Sequence, residues 1–307
     1  MSKRVLVTGA YGFIGRYTAK EFHKAGYYVI GLGHGTWGQE EASRWGVDEW
    51  HVGDVTMDAL QTYALGCEVI VHCAGSGSVG FSIANPMKDF ERTVWTTHYV
   101  LEFVRLYSPK TKFVYPSSAA VYGNQDELPL QVNMIPNPIS PYGVHKKIVE
   151  ELCQMYAKQY GVKVAVLRLF SVYGNGLRKQ LLWDACRKLS DRKNEFWGTG
   201  EETRDWVHVY DVARAMYTAS LQASSKCPVV NVASGYGTKI SDILQMLFGE
   251  YGENEQPFFG GQANVGNPNH YVADISEIKK WDWEPEVSLQ DGVKDYVRWF
   301  INREKRR

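Results

Sequence analysis

The chain has 307 residues, with 34 Lys plus Arg against 34 Asp plus Glu, a formal net charge of zero, and 44% hydrophobic to 22% charged residues. Such a balance excludes a largely disordered chain and a nucleic-acid or anionic-membrane surface built on bulk charge. No run of about 18 apolar residues is present, so no membrane helix is expected.

The length permits two domains at roughly 150 residues each. From the start, Arg4 to Thr8, Tyr28 to Leu32, Val69 to Cys73 and Lys112 to Pro116 read as β-branched strands. Helical patterns at Phe13 to Ala25 and Phe90 to Tyr107 lie between them. This alternation predicts an α/β fold, a doubly wound parallel sheet with helices on both faces. Val144, Ile148, Leu152 and Tyr156 recur every four residues and mark one face of a helix, after which Lys163 to Leu169 reads as a further buried strand. Beyond Gly174 glycine and proline break the pattern into shorter pieces. The expected division is a dinucleotide-binding Rossmann-type domain over 1–170 and a smaller substrate-binding region over 171–307, with a segment near 229–233 rejoining the first sheet. Five scattered cysteines, Cys67, Cys73, Cys153, Cys186 and Cys227, lack any Cys-x-x-Cys spacing. Reduced thiols in the cytoplasm and no metal site are therefore expected.

Gly9, Gly12 and Gly15 follow the first strand and open the first helix within Thr8-Gly9-Ala10-Tyr11-Gly12-Phe13-Ile14-Gly15. Gly9 permits the tight turn, Gly12 lets backbone approach a pyrophosphate, and Gly15 lets helix pack on strand. The anion rests on free amides and the positive helix end, so Tyr11, Phe13 and Ile14 are cofactor contacts too. An acid that would grip a ribose 2′-hydroxyl belongs at the end of the second strand. Gly33 stands there, followed by His34. Without that carboxylate a 2′-phosphate meets no repulsion and His34 can donate to it, so NADP(H) is favoured with NAD(H) possible; His34 also reads as an exposed loop residue. Asp54 and Val55 close the third strand, where Asp54 can accept from an adenine amino group or simply shape a turn. Cys73, Ala74 and Gly75 close the fourth, where small residues let a cofactor lie close.

Ser140-Pro141-Tyr142-Gly143-Val144-His145-Lys146 reads as a helix start, Ser140 the cap and Pro141 in the first turn. Tyr142 and Lys146 share a face four residues apart. A phenol titrating near 10 is a poor base at neutral pH, and an ammonium one turn away is expected to lower it by favouring the phenolate. Ser117 and Ser118 end a strand whose carboxyl edge faces the ligand crevice, where a hydroxyl can relay a proton to Tyr142.

Taken together these segments resemble the extended short-chain dehydrogenase/reductase family, in its nucleotide-sugar epimerase, dehydratase and reductase branch. The likeness also takes in Gly53-Asp54, Leu167 to Gly174 and Arg204 to Ala213, and so runs nearly the length of the chain. It implies Ser118 as the catalytic serine, Tyr142 as acid/base, and Lys146 with Ser117 on the cofactor side. Ser118, Ala119, Ala120, Ser171, Arg178, Arg204 and Asp205 fall on the substrate side, Arg204 where the family contacts a nucleotide diphosphate. The implied partner is a nucleotide-diphosphate sugar and the implied assembly a homodimer through the Val144 and Phe90 to Tyr107 helices. Departures narrow the chemistry. Ala119 and Ala120 stand where the 4,6-dehydratases carry an Asp-Glu pair, and neither can exchange protons. No cysteine stands at 120, where the reductases that also epimerise carry one, and Ser171 and Thr93 replace common asparagines. The preferred expectation is a 4-ketoreductase, which moves hydride from NADPH to C4 of a 4-keto-6-deoxy nucleotide sugar while Tyr142 protonates the alkoxide. The alternative is a 4-epimerase that retains NAD, and the third reading a catalytically silent nucleotide-binding regulator. The empty Gly33 position tips the expectation to the reductase. Sugar choice is expected to lie in the loops at Asn175 to Gln180 and Gly260 to His270.

Overall fold

Val5, Leu6 and Val7 are all buried, as are Val69 to His72 and Val164 to Leu169. Continuous apolar runs of this kind belong to strands covered on both faces. A computed structural model describes residues 3–253, 255–261 and 269–305. Its strands are β1 (Arg4–Thr8), β2 (Tyr28–Gly33), β3 (Glu49–Val52), β4 (Val69–His72), β5 (Lys112–Ser118), β6 (Lys163–Leu169), β7 (Ser171–Tyr173), β8 (Glu195–Phe196), β9 (Thr203–His208), β10 (Val229–Val232), β11 (Gly237–Lys239) and β12 (Phe258–Phe259). Seven of them form one sheet in the order β10-β6-β5-β4-β1-β2-β3, every neighbouring pair parallel. The chain winds outward from β1 to β3, then crosses back to β4 on the other side of β1. The crevice beyond the carboxyl ends of β1 and β4 is thus the switch point at which open α/β sheets bind ligands.

Alternate residues of each strand feed two cores. Val5, Val7, Val29, Val71 and Val114 pack on one face, beside Phe22 and Met216 from helices Phe13–Lys24 and Val209–Gln222. Leu6, Ile30, Ile70, Phe113 and Tyr115 pack on the other, against Phe103 and Cys153 from helices Thr96–Tyr107 and Pro141–Tyr160. Those last two helices leave Leu106, Tyr107, Val144 and Met155 exposed.

β10 lies beside β6 with Val230 opposite Leu167, so the chain returns to the large sheet after a first excursion. Outside it, β7, β9 and β11 form a three-stranded sheet and β8 pairs with β12. Leu182, Leu244, Leu247, Tyr296 and Phe300 make a separate core beneath them. Among the described residues no helix is long and apolar enough to cross a membrane. The five cysteines are free.

Candidate active site

The nucleotide end of the crevice is made of backbone. Gly9 turns at φ +67°, and a Cβ there would stand 2.7 Å from Ala74 N. A Cβ on Gly15 would drive into Gly9, whose carbonyl carbon would lie 2.8 Å away. Gly12 caps helix Phe13–Lys24 with no side chain bonded to its first amides, so those donors face outward at the positive end of the helix. Across the switch point Thr8 Oγ1 lies 2.8 Å from His72 Nδ1 and accepts from Ala74 N at 3.2 Å, which ties the β1 and β4 ends together. Cys73 follows with its thiol pushed up to about 12 by burial, and Gly75 leaves β4 at φ +134°.

At the adenosine side, β2 runs one residue past its predicted end and closes on Gly33, where a Cβ would sit 3.3 Å from Gly9. His34 Nε2 lies 2.8 Å from Asp54 Oδ1 in an exposed contact, and Val55 is buried. Tyr11 packs edge-on against Trp37 at 5.0 Å between centroids. Arg16, one residue beyond the glycine turn, lies over Tyr11, Trp37 and Trp45 and donates to the carbonyls of Tyr11 and Gly12. Phe13 and Ile14 open the helix, with Phe13 stacked edge-on against Tyr17.

The catalytic end is made of side chains. Ser140 Oγ accepts from Gly143 N at 3.2 Å and Pro141 occupies the first turn, so helix Pro141–Tyr160 begins where the sequence predicts. Gly143 is required because a Cβ there would lie 2.5 Å from Ala120 O. Ser118 caps the short turn Ala119–Val121 through Ala120 N at 3.2 Å, and its hydroxyl favours the ionised form of the Tyr142 phenol. Lys146 Nζ donates to Pro116 O at 2.8 Å and lies 4.6 Å from the Tyr115 ring centre and 5.8 Å from that of Tyr142.

The electrostatics differ from the sequence expectation. Burial pushes the Tyr142 phenol up to about 12, Ser118 pulls it down, and the Asp89 charge raises it further. Lys146 itself is drawn down to about 8 by burial, opposed by Cys73, Asp89 and Glu150. The shared helix face set the spacing of the pair, yet the ammonium turns to a backbone carbonyl, and desolvation outweighs any attraction it offers the phenolate.

Two residues expected in contact with ligands are also bonded within the protein. Ser117 Oγ donates to Glu150 Oε1 at 2.5 Å, and Arg168 binds the same buried carboxylate, so Ser117 belongs to an internal network behind β5. Asp205 is buried and accepts from Ser234 N and Oγ, Gly235 N and Ala273 N, tying two loops to β9. Arg204, from the same strand, lies 5.9 Å from the Tyr271 ring centre and donates to Thr203 O and Asn269 O. Ser171 starts β7, opposite Trp206. The Asn175 to Gln180 segment crosses the crevice mouth: Tyr17 Oη donates to Asn175 O at 2.8 Å and Lys179 Nζ to Gly77 O at 3.0 Å. Arg178 is exposed near Arg16. Of the second loop expected to select the sugar, residues 262–268 lie outside the described ones. Thr93, at a common asparagine position, sits in a π-helical turn, Glu91–Trp95.

Residues 5–233 match the NAD dependent epimerase/dehydratase family. The chain belongs to that family. Within this NAD-dependent epimerase/dehydratase family it is similar to a UDP-glucuronate 4-epimerase of Thermodesulfobacterium geofontis, 29% identical over 96% of this chain and 95% of the relative. It is similar also to a UDP-glucose 4-epimerase of Mycolicibacterium smegmatis, 28% identical over 98% and 99%. Among solved structures, a UDP-glucose 4-epimerase of Thermotoga maritima with UDP-glucose superposes with a TM-score of 0.88 at 27% identity, covering 98% of this chain and 99% of that one. A UDP-glucuronic acid 4-epimerase mutant of Bacillus cereus, in complex with a fluorinated UDP-sugar and NAD, gives 0.88 at 25% identity over 97% and 99%.

Proposed function

We propose that this member of the family is a UDP-sugar 4-epimerase that keeps NAD bound, with Tyr142 as its acid/base. The observation that carries the reading is the convergence of Ser118 at the β5 end with Tyr142 and Lys146 on helix Pro141–Tyr160 beside a glycine-cradled switch point, in a chain several of whose relatives over nearly its full length are UDP-sugar 4-epimerases. Those relatives weigh against the 4-ketoreductase that the sequence favoured, and neighbours carrying NAD weigh against the preference for NADP(H). A missing carboxylate at Gly33 removes one ribose contact; it adds none for a 2′-phosphate, and the His34 imidazole is already paired with Asp54.

The residues present fit a dinucleotide. The uncapped amides after Gly12 hold a pyrophosphate, Gly9 and Gly75 leave the crevice floor without side chains, and Asp54 with His34 borders the adenosine end. Bound NAD supplies the hydride acceptor and a positive ring that favours the phenolate of Tyr142. Tyr142 Oη takes the proton from the C4 hydroxyl as C4 is oxidised, Ser118 holding that oxygen in line, and returns it when C4 is reduced from the opposite face. Lys146 supports the ribose. Ala119 and Ala120 offer no second acid or base, so water is not eliminated. Arg204, lowered by burial yet still cationic, suits a nucleotide diphosphate. In this reading residues 171–307 carry the sugar and 1–170 the dinucleotide.

Purified protein given UDP-glucose without added cofactor is expected to yield UDP-galactose, followed by proton NMR. Tyr142→Phe is expected to slow the conversion by about 10²–10⁴-fold. An unchanged rate in Tyr142→Phe would remove the assignment. Turnover confined to a 4-keto-6-deoxy sugar with net use of NADPH would restore the ketoreductase.

A further inference from the structure

Between β7 and helix Gln180–Ser190 the chain crosses the mouth of the crevice, and it is tied down on both sides. On one side Gly176 runs along the Phe13 ring, where a Cβ would lie 3.9 Å from Cδ2, and Asn175 O accepts from Tyr17 Oη at 2.8 Å. Both aromatic residues belong to helix Phe13–Lys24, whose uncapped first amides form the anion cradle. On the other side Lys179 Nζ donates to Gly77 O at 3.0 Å, in the loop that follows β4. The ammonium sits close on that main chain, since a Cβ on Gly77 would stand 3.4 Å from Nζ. A third tie, from Tyr296 Oη to Leu177 O at 2.5 Å, fixes the middle of the segment to helix Leu289–Glu304. Segment 174–180 is therefore a strap drawn across the switch point, from the helix behind the glycine turn to the loop behind β4.

The strap carries a cation that the protein leaves without an anion. Among the described residues no carboxylate pairs with Lys179; its partner is the neutral Gly77 O, and desolvation draws the ammonium below the usual lysine range. A charge partly withdrawn from water without a counter-charge is unfavourable. The cradle on the other side of the strap has the complementary deficit, because helix amides offer a pyrophosphate only partial positive charge. Arg16, in the first turn of that helix, is occupied by the Tyr11 and Gly12 carbonyls. The strap also holds its shape at a cost, since Gln180 turns at φ +67°, and strain of that kind gathers at ligand clamps. We propose that Lys179 is the cation for the pyrophosphate of the bound dinucleotide, and that this contact makes segment 174–180 the strap that retains it. The inference rests on the reading that NAD occupies the crevice. A UDP-sugar carries a diphosphate of the same chemistry, but Phe13, Tyr17 and Gly77 flank the dinucleotide cradle, whereas the sugar's diphosphate falls to Arg204 beside Asn269 O.

The test sets Lys179→Met, which keeps most of the stem and removes the charge, against Lys179→Arg, which keeps the charge. NAD is titrated into nucleotide-free protein by calorimetry at low and at high salt. Lys179→Met is expected to bind NAD about 10- to 100-fold more weakly at low salt, the range of one charged hydrogen bond. The gap is expected to narrow at high salt, where the lost attraction is screened in wild-type protein too. Lys179→Arg is expected to bind NAD close to wild type, and UDP, titrated in the same way, is expected to bind Lys179→Met as it binds wild-type protein. Lys179 is exposed, so both variants are expected to melt with wild-type protein. Unchanged NAD affinity in Lys179→Met overturns the proposal. A loss for UDP as large as that for NAD, or larger, also overturns it and hands the residue to the sugar's diphosphate. A loss that Lys179→Arg shares in full, indifferent to salt, overturns it as well, because shape and not charge would then be at work. If wild-type protein binds no NAD, the cofactor reading fails and the proposal with it. If it binds NAD but inverts no UDP-sugar, the epimerase assignment alone fails, and the titrations still decide Lys179.

Discussion

The two ends of the crevice are built from different material. At the nucleotide end, Gly9, Gly12, Gly15 and Gly75 place main chain against main chain, and the ligand surface is a row of amides. At the catalytic end the site is side chains: Lys146, Asp89 and His145 are buried, and Ser118 and Tyr142 are half-buried beside them. Backbone sites tolerate little change of shape, whereas side-chain clusters tolerate change of shape and respond to change of charge. That contrast assigns a different kind of failure to each end.

The larger expected effect is on the backbone end. Gly15→Ala puts a methyl against Gly9, where backbone cannot yield. The expected cost is about 3 kcal/mol, read as a melting temperature lower by about 6–12 °C, together with loss of retained nucleotide. A variant that melts with wild-type protein and keeps its nucleotide would show that helix Phe13–Lys24 does not rest on the turn as described. A smaller effect sharpens the comparison by bringing side-chain chemistry to the backbone end. Gly33→Asp adds a carboxylate beside the ribose position, with a Cβ 3.3 Å from Gly9 that demands slight adjustment. Relative affinity is expected to move toward NAD(H) over NADP(H) by about tenfold, the size of one charged hydrogen bond, measured by titration of both cofactors. No change in the ratio would mean that the end of β2 does not face the ribose.

The same contrast explains what could be read in the sequence. Alternating apolar runs and helical spacings foretold the parallel sheet because burial on both faces demands them. The glycine turn was legible because each glycine answers a local steric need, and the start at Ser140 and Pro141 because caps are local too. Tertiary electrostatics was not legible. Asp89 and His145 are 56 residues apart, and no spacing announces that two helices will bring them together beside Tyr142. Spacing put Tyr142 and Lys146 on one face but did not reveal that Lys146 Nζ turns to Pro116 O, or that burial leaves the phenol near 12. The family resemblance placed Asp205 on the substrate side, and only the fold shows two loops converging on its carboxylate.

The central claim is that C4 is oxidised and reduced within one site, with Tyr142 exchanging the proton and hydride returning to the carbon it left. It is tested most directly by running UDP-glucose to equilibrium in D₂O with purified protein and no added cofactor. The account predicts UDP-galactose whose C4 still carries ordinary hydrogen, with no free reduced nucleotide. Deuterium incorporated at C4, or no inversion by protein shown by mass to hold NAD, would contradict it.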